Sequence, residues 1–476
     1  MLDQKDTLDQ KELPGSEPGS ASALRDADGA IREDFVASIA KAVEERHGAR
    51  LRELAGDLHE SDTGDLLEAL DPQLRPRLIE LLGADFDFSA LTEVDDTVRE
   101  EILEGLPSGT VAEGVRDLDS DDAVYILEDL PKDEQTEILE QLPASDRVAL
   151  ERSLLYPEGS AGRRMQTEFI AVPPQHTVGE TIDFMRETPD LPQRFYEIYA
   201  VDPAQKFLGA VPLDRLLRTK RPVTIESLMD PDRRIVRATD DQEEVARQFE
   251  RYDLVAAPVV DEGDRLVGVM TVDDIVDVIE EEAEEDIKAL GGVAKHEELS
   301  DSVWTIAKGR FPWLLANLMT ALLSASVIQL FEGSIQKMVA LAVLMPIVAS
   351  MGGNAGTQTM TVAVRALATR DLGDNNSWRF ARREFLVGVI NGLGFAAIMG
   401  TIASFWFQTS DLGLVIGLAM ICVLIAAALG GFVIPVILGK LGVDPAVSSG
   451  PFVTTVTDII GFFSFLGIAT LWFGLK

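Results

Sequence analysis

The chain has 476 residues and a formal net charge of −38 at pH 7. Residues 311–476 hold eight Lys/Arg against seven Asp/Glu, which leaves 34 basic and 73 acidic residues in 1–310. So acidic a first part excludes a nucleic-acid partner, whose phosphates need basic groups, and the contrast places the two parts in different solvents.

Most of these carboxylates read as a solvated surface, although carboxylates are also hard oxygen ligands for Mg²⁺ and Ca²⁺. The one cysteine, Cys422, lies in an apolar stretch, so neither a disulfide framework nor a zinc spacing is present. The N-terminus is polar and has no pattern of a cleavable signal peptide.

Residues 1–33 are rich in Gly, Ser, Asp and Pro and predict a disordered tail. From 34 to 158 a short phrase recurs: Leu67-Glu68-Ala69-Leu70-Asp71-Pro72, Leu103-Glu104-Gly105-Leu106-Pro107, Leu127-Glu128-Asp129-Leu130-Pro131 and Leu139-Glu140-Gln141-Leu142-Pro143. The starts are 36, 24 and 12 residues apart. Each phrase closes one short helix and its proline helps open the next, the pattern of a small helical solenoid.

Residues 159–221 and 222–282 form two similar halves. The second predicts strand Ile235–Arg237, helix Asp240–Arg251, strands Ala257–Val260 and Leu266–Thr271, and a helix from Val272. The first matches it with strand Phe169–Val172, helix Val178–Arg186, strands Ile198–Val201 and Phe207–Val211, and helix Leu213–Leu217. This alternation makes an α/β pair. The wording Ala257-Pro258-Val259-Val260-Asp261 followed by Leu266-Val267-Gly268-Val269-Met270-Thr271-Val272-Asp273-Asp274 resembles a CBS domain, and tandem CBS modules bind adenosine nucleotides, metals or each other.

Nine acids crowd residues 273–286: Asp273, Asp274, Asp277, Glu280, Glu281, Glu282, Glu284, Glu285 and Asp286. Val276, Ile279, Ala283 and Ile287 keep helical spacing through them, which predicts an amphipathic acidic helix leading through 283–310 to the apolar region. Like charges at i,i+4 disfavour a helix, so either a divalent cation neutralises them or the face is simply solvated.

Five stretches, roughly 311–331, 338–363, 385–407, 412–438 and 447–475, meet the requirement of about 20 apolar residues for a bilayer span. Lys308, Arg310, Arg365, Arg370, Arg379, Arg382, Arg383 and Lys440 flank them on one side, so the positive-inside rule puts residues 1–310 in the cytoplasm and the C-terminus outside. Span two carries Pro346 and then Gly352-Gly353-Asn354-Ala355-Gly356-Thr357-Gln358-Thr359. Glycines this dense predict a loosened helix, and its polar groups predict a wet path. Span five opens at Gly450-Pro451 and puts Asp458 roughly 10 Å into the membrane at 1.5 Å per residue. A carboxylate there costs at least about 2.5 kcal/mol, so it needs a cation, water or a proton. One acid per chain is little for a divalent ion, and a twofold dimer would present two. Mg²⁺ gives up water reluctantly, which predicts mostly outer-sphere contacts.

Order and wording together resemble the MgtE family of bacterial magnesium channels, over residues 34–476. The sharpest matches are Gly352-Gly353-Asn354-Ala355-Gly356-Thr357-Gln358, Asp444-Pro445-Ala446 and Gly450-Pro451-Phe452-Val453-Thr454-Thr455 with Asp458. The resemblance implies a multidomain fold: an α-helical solenoid N domain, tandem α/β CBS domains, a connecting plug helix and an all-α transmembrane domain of five helices, working as a homodimer in the bacterial inner membrane. It implies that Asp458 binds hydrated Mg²⁺, helped by Asn354, Thr357 and the backbone carbonyl of Thr454, where some members have Ala. Some members also have Asn where this chain has Gly450. Sensor carboxylates carry over onto Asp274, Asp277, Glu282, Glu285 and Asp286, and in the N domain onto Asp121, whose i+4 neighbour is Tyr125. Members that bind ATP stack its adenine on an aromatic where this chain has Leu254, which leaves ATP open. Two other classes are weighed: an ion-coupled secondary transporter needs further intramembrane acids, and a membrane enzyme needs clustered acids with a phosphate loop, which the sequence does not show.

Overall fold

The computed structural model describes residues 24–475 apart from 28, 129, 189, 190, 193, 295, 296, 298–300, 370, 371 and 373–375. The tail expected over 1–33 lies largely outside the described residues, as do Asp129 and Arg370. Its last part is ordered: Arg25 bridges to Ile31 and pairs with Asp62 and Asp65. The chain divides into two compact units, Met1–Ile279 and Glu280–Lys476.

The first unit begins with short helices: α1 (Glu33–Glu44), α2 (Gly48–Ala55), α3 (Glu60–Ala69), α4 (Arg75–Leu82), α5 (Asp96–Gly105), α6 (Ser108–Arg116), α7 (Ser120–Glu128), α8 (Lys132–Gln141) and α9 (Ala144–Leu154). Both leucines of every repeated phrase are buried in one core: Leu67 and Leu70, Leu103 and Leu106, Leu127 and Leu130, Leu139 and Leu142. The repeat is therefore a packing repeat. Pro107, Pro131 and Pro143 stand at the N-cap of the next helix, one position earlier than a first-turn proline. Arg75 Nε donates to the carbonyls of Leu67 and Leu70 at 2.9 and 3.2 Å, satisfying the open C-terminal end of α3.

Next come α10 (Ala161–Arg164), β1 (Ala171–Val172), α11 (Val178–Glu187), β2 (Glu197–Val201), β3 (Phe207–Pro212), α12 (Leu213–Arg218), α13 (Ile225–Leu228), β4 (Val236–Arg237), α14 (Gln242–Tyr252), β5 (Ala256–Val260) and β6 (Leu266–Thr271). Two three-stranded sheets result, ordered β1-β2-β3 and β4-β5-β6. In each the first pair is parallel and the second antiparallel, with an irregularity at matching places, Ala200/Val201 and Val259/Val260. The duplication read from sequence is thus a structural one. Thr177 and Glu180 close a capping box on α11, and Asp241 caps α14.

Helix α15 (Val272–Leu290) starts in the first unit and ends in the second. The apolar stripe read from its spacing is open: Val276, Ile279 and Ile287 are 55%, 47% and 71% exposed, while Ile275 and Val278 enter the core.

The second unit continues with α16 (Val303–Gln329), α17 (Glu332–Lys337), α18 (Ala340–Ala368), α19 (Ser377–Phe407), α20 (Ser410–Lys440) and α21 (Pro445–Phe473). Among the described residues five helices are long and apolar enough to cross a membrane: α16, α18, α19, α20 and, from Ser449, α21. Helix α20 is the central one; Val415, Ile416, Ala419, Met420 and Val423 are fully buried against Leu341, Leu344, Val348, Phe465 and Leu466. Two expectations change. The glycine-rich segment of α18 is continuous helix, because its glycines admit neighbouring helices instead of breaking the ladder. The fifth helix begins at Pro445, with Pro451 inside it.

Candidate ion-binding sites

The membrane candidates lie on α18 and α21. A Cβ on Gly352 would stand 2.6 Å from Val423, and one on Gly356 would stand 2.8 Å from Val453 and 3.2 Å from Thr457. The glycine face therefore fixes α18 against α20 and α21 at close range. Asn354, Thr357 and Thr454 are exposed on these two helices, and Asp458 is partly buried. Thr454 and Asp458 share one face of α21 at i,i+4 spacing. Thr454 Oγ1 donates to Gly450 O at 3.0 Å, and its carbonyl accepts from Thr457 Oγ1 at 2.9 Å. That carbonyl is already engaged, so it suits an ion that keeps its water.

The sensor candidates divide between the units. In the first, the N-terminus of α7 meets the start of α15. Asp121 and Asp274 lie close enough for their carboxyls to interact, and Thr271 donates to Asp274 Oδ2 through Oγ1 at 2.6 Å and N at 3.2 Å. Burial pushes Asp122 up to about 7, with Asp274, Asp119, Glu60 and Asp277 adding repulsion. Burial pushes Asp274 up to about 6 against the pull of Thr271, with Asp273 adding repulsion. Asp121 is held well above its ordinary range by burial and then by Asp274, Asp122 and Asp119. Asp119 is raised by burial and by Glu168. The structure thus unites Asp121, Asp274 and Asp277 with Asp273 of the same acidic run, and adds Asp119 and Asp122, which sequence reasoning passed over. The signal for these two was available in Asp119-Ser120-Asp121-Asp122, a run of acids at a helix start.

Tyr125, one turn after Asp121, is engaged by cations. The guanidinium groups of Arg99 and Arg164 lie 4.4 and 4.8 Å from its ring centre, and Glu128 pairs with Arg163 and Arg164 at 3.3 Å each. Ser120 Oγ donates to Glu168 Oε2 at 2.8 Å and accepts from Thr167 N at 2.7 Å. These contacts join α7 to the segment entering the CBS pair.

In the second unit Asp286 is raised by burial, then by Asp444 and Glu285. Asp444 caps α21, accepting from Ala446 N at 2.7 Å. It was visible in the Asp444-Pro445-Ala446 motif but was not read as a sensor partner. Glu282 lies one turn before Asp286 and is partly buried, as is Glu285. Leu254 is 8% exposed and packs in the core of the second CBS half. Among the described residues no three His, Cys, Asp or Glu side chains converge as a ready cage for a metal.

Residues 345–468 match the family model described as a divalent cation transporter. Residues 58–159 match the MgtE intracellular N domain, and 225–281 the CBS domain. The fold and these matches define a membrane transporter of divalent cations. The chain is 32% identical to the magnesium transporter MgtE of Bacillus subtilis over 419 residues, 88% of this chain and 93% of that one. It is 33% identical to that of Thermus thermophilus over 448 residues, 93% and 99% of the two chains. The chain belongs to the MgtE family of magnesium transporters, which carry ions and are not enzymes. Two solved structures also resemble it. The soluble part of a magnesium transporter is 27% identical with a TM-score of 0.48, covering 53% of this chain and 99% of that one. The cytosolic domain of the Mg²⁺ channel MgtE in complex with ATP is 31% identical with a TM-score of 0.47, covering 51% and 99%.

Proposed function

We propose that two copies of this chain form a Mg²⁺ channel whose pore is lined by Asp458, Asn354, Thr357 and the Thr454 carbonyl. The observation that carries this is the close, glycine-mediated contact of α18 with α21, flanked by oxygen-bearing side chains on helices otherwise made of apolar residues. Polar groups in such helices belong against water or protein, not lipid. A twofold axis at this flank sets two Asp458 carboxylates around one hydrated ion. The open stripe Val276, Ile279, Ala283 and Ile287, spaced three, four and four residues, supports pairing of α15 with its copy. The basic loops support a cytoplasmic soluble unit in a bacterial inner membrane.

Gating follows from charge. With cytoplasmic Mg²⁺ abundant, the ion bridges Asp121 to Asp274 and Asp277, and Glu282, Glu285 and Asp286 to Asp444, holding the pore shut. When Mg²⁺ is scarce the same acids repel and the assembly loosens. Leu254 is packed inward and gives adenine no ring to stack on, so this reading rests regulation on Mg²⁺.

Coupled transport is the rival. It calls for a second titrating acid on the path, whereas the buried Glu384 is engaged by Arg383 and Thr359. The test is Mg²⁺ entry into liposomes holding the purified protein, with no other ion gradient imposed. The channel reading predicts entry that slows as luminal Mg²⁺ on the sensor side rises, and that Asp274→Asn with Asp277→Asn blunts this slowing. Entry only when a proton or Na⁺ gradient is imposed would favour the rival.

A further inference from the structure

Helix α19 carries a carboxylate where a close-packed helix has little room for one. Glu384 is 8% exposed, seven residues after the start of α19. One and two turns later on its face, Gly388 and Gly392 allow the backbone of α20 to approach: their Cβ atoms would stand 3.0 Å from Leu424 O and 3.1 Å from Ile421 Cα. Glu384 therefore points into the junction of α18, α19 and α20. Arg383 binds its Oε1 through Nε at 3.0 Å, and Thr359 Oγ1 on α18 donates to its Oε2 at 3.2 Å.

The behaviour of Thr359 sets it apart. Threonines in apolar helices commonly turn their hydroxyl back onto the preceding turn. Thr361, Thr401, Thr454 and Thr455 do so here, donating to Thr357 O, Ala397 O, Gly450 O and Pro451 O. Thr359 instead donates across to another helix. It is buried, and a Cβ on Gly431 of α20 would stand 2.9 Å from it. At about 100° per residue, Thr359 lies roughly 160° around α18 from Thr357 and roughly 140° from Asn354. Anchoring Thr359 on the α19–α20 side therefore turns Asn354 and Thr357 to the opposite, open side, where both are exposed.

We propose that Glu384, acting through Thr359, is a positioning residue that fixes the rotation of α18 and so aims Asn354 and Thr357 at the ion path. This rests on the reading of that face as the ion path. A buried carboxylate costs stability unless paired; Arg383 supplies the pairing, and the hydrogen bond to Thr359 supplies the direction. Glutamine keeps an oxygen acceptor for Thr359, whereas leucine removes it.

The experiment is Mg²⁺ and Ca²⁺ flux through the full-length protein in liposomes, with elution volume and melting temperature as checks on folding. Thr359→Val and Glu384→Leu each raise the KM for Mg²⁺ about tenfold, the scale of one hydrogen bond to a charged group, and lower the preference for Mg²⁺ over Ca²⁺. Glu384→Gln stays within about twofold of wild type, since its amide oxygen still accepts. The double variant Thr359→Val/Glu384→Leu is no worse than the poorer single one, because both remove the same contact. Thr359→Val exchanges a hydroxyl for a methyl and decides the matter if Glu384→Leu fails to fold. Wild-type KM and selectivity in Thr359→Val would overturn the inference. Asn354→Ala and Thr357→Ala run beside it. If they alter flux while Thr359→Val does not, the anchor is wrong and the path stands; if they leave flux unchanged, the path reading fails and the anchor's role with it.

Discussion

The contact between α7 and α15 should be weaker at neutral pH than in acid whenever Mg²⁺ is withheld. Asp122 and Asp274 ionise at about 7 and about 6 in the folded unit, against an ordinary value of 3.8. Both are raised, so the folded form binds more protons between about pH 4 and pH 7, and stability falls as pH rises through that window. Burial is the leading cause for each acid, so the two shifts add: above pH 5 that of Asp122 spans about two units and that of Asp274 about one, together about 4 kcal/mol at 1.36 kcal/mol per unit. For a unit of this size about 2–4 °C of melting temperature accompany each kcal/mol. Calorimetry on the full-length protein in detergent with a chelator should show the soluble transition falling by about 8–16 °C from pH 5 to pH 8. Excess Mg²⁺ should flatten the curve, because the cation replaces the protons. Asp122→Asn should remove roughly two thirds of the fall. A transition that stays level or rises with pH in the chelator would refute the argument.

Two further outcomes follow from the packing. Gly431→Ala places a Cβ 2.5 Å from Gly356 O, so it should cost about 1–3 kcal/mol through overpacking and lower Mg²⁺ flux; thermal unfolding and flux check this. Tyr125→Leu removes the contacts with Arg99 and Arg164, worth about 0.5–2 kcal/mol each. It should leave the N domain docked in Mg²⁺ but more exchangeable in a chelator, read as faster hydrogen exchange in α7.

The soluble fold was largely legible. The Leu-x-x-Leu phrases announced the core of the N domain because each leucine pair faces inward, and the two CBS halves announced themselves by strand length and order. The membrane spans followed from apolar length, but their ends did not, since α16, α19 and α21 begin before the apolar runs do. The glycines of α18 misled local reasoning. Glycine weakens an isolated helix, whereas here Gly352 and Gly356 let α20 and α21 approach, a tertiary gain invisible in the segment itself. The same limit hid Glu384, which looks like one more charge among Arg379, Arg382 and Arg383 until Thr359 is seen beside it. The stripe on α15 was legible in its period but its cover was not, because periodicity shows that a face is apolar and not what covers it.

Everything in the ion-path reading returns to Asp458, and Mg²⁺ uptake by liposomes containing Asp458→Asn is its most direct test. Asp411→Asn, at the exposed start of α20, serves as the matched control. The account predicts background uptake for Asp458→Asn with an unchanged elution volume, and wild-type uptake for the control. Wild-type Mg²⁺ uptake by Asp458→Asn would contradict it.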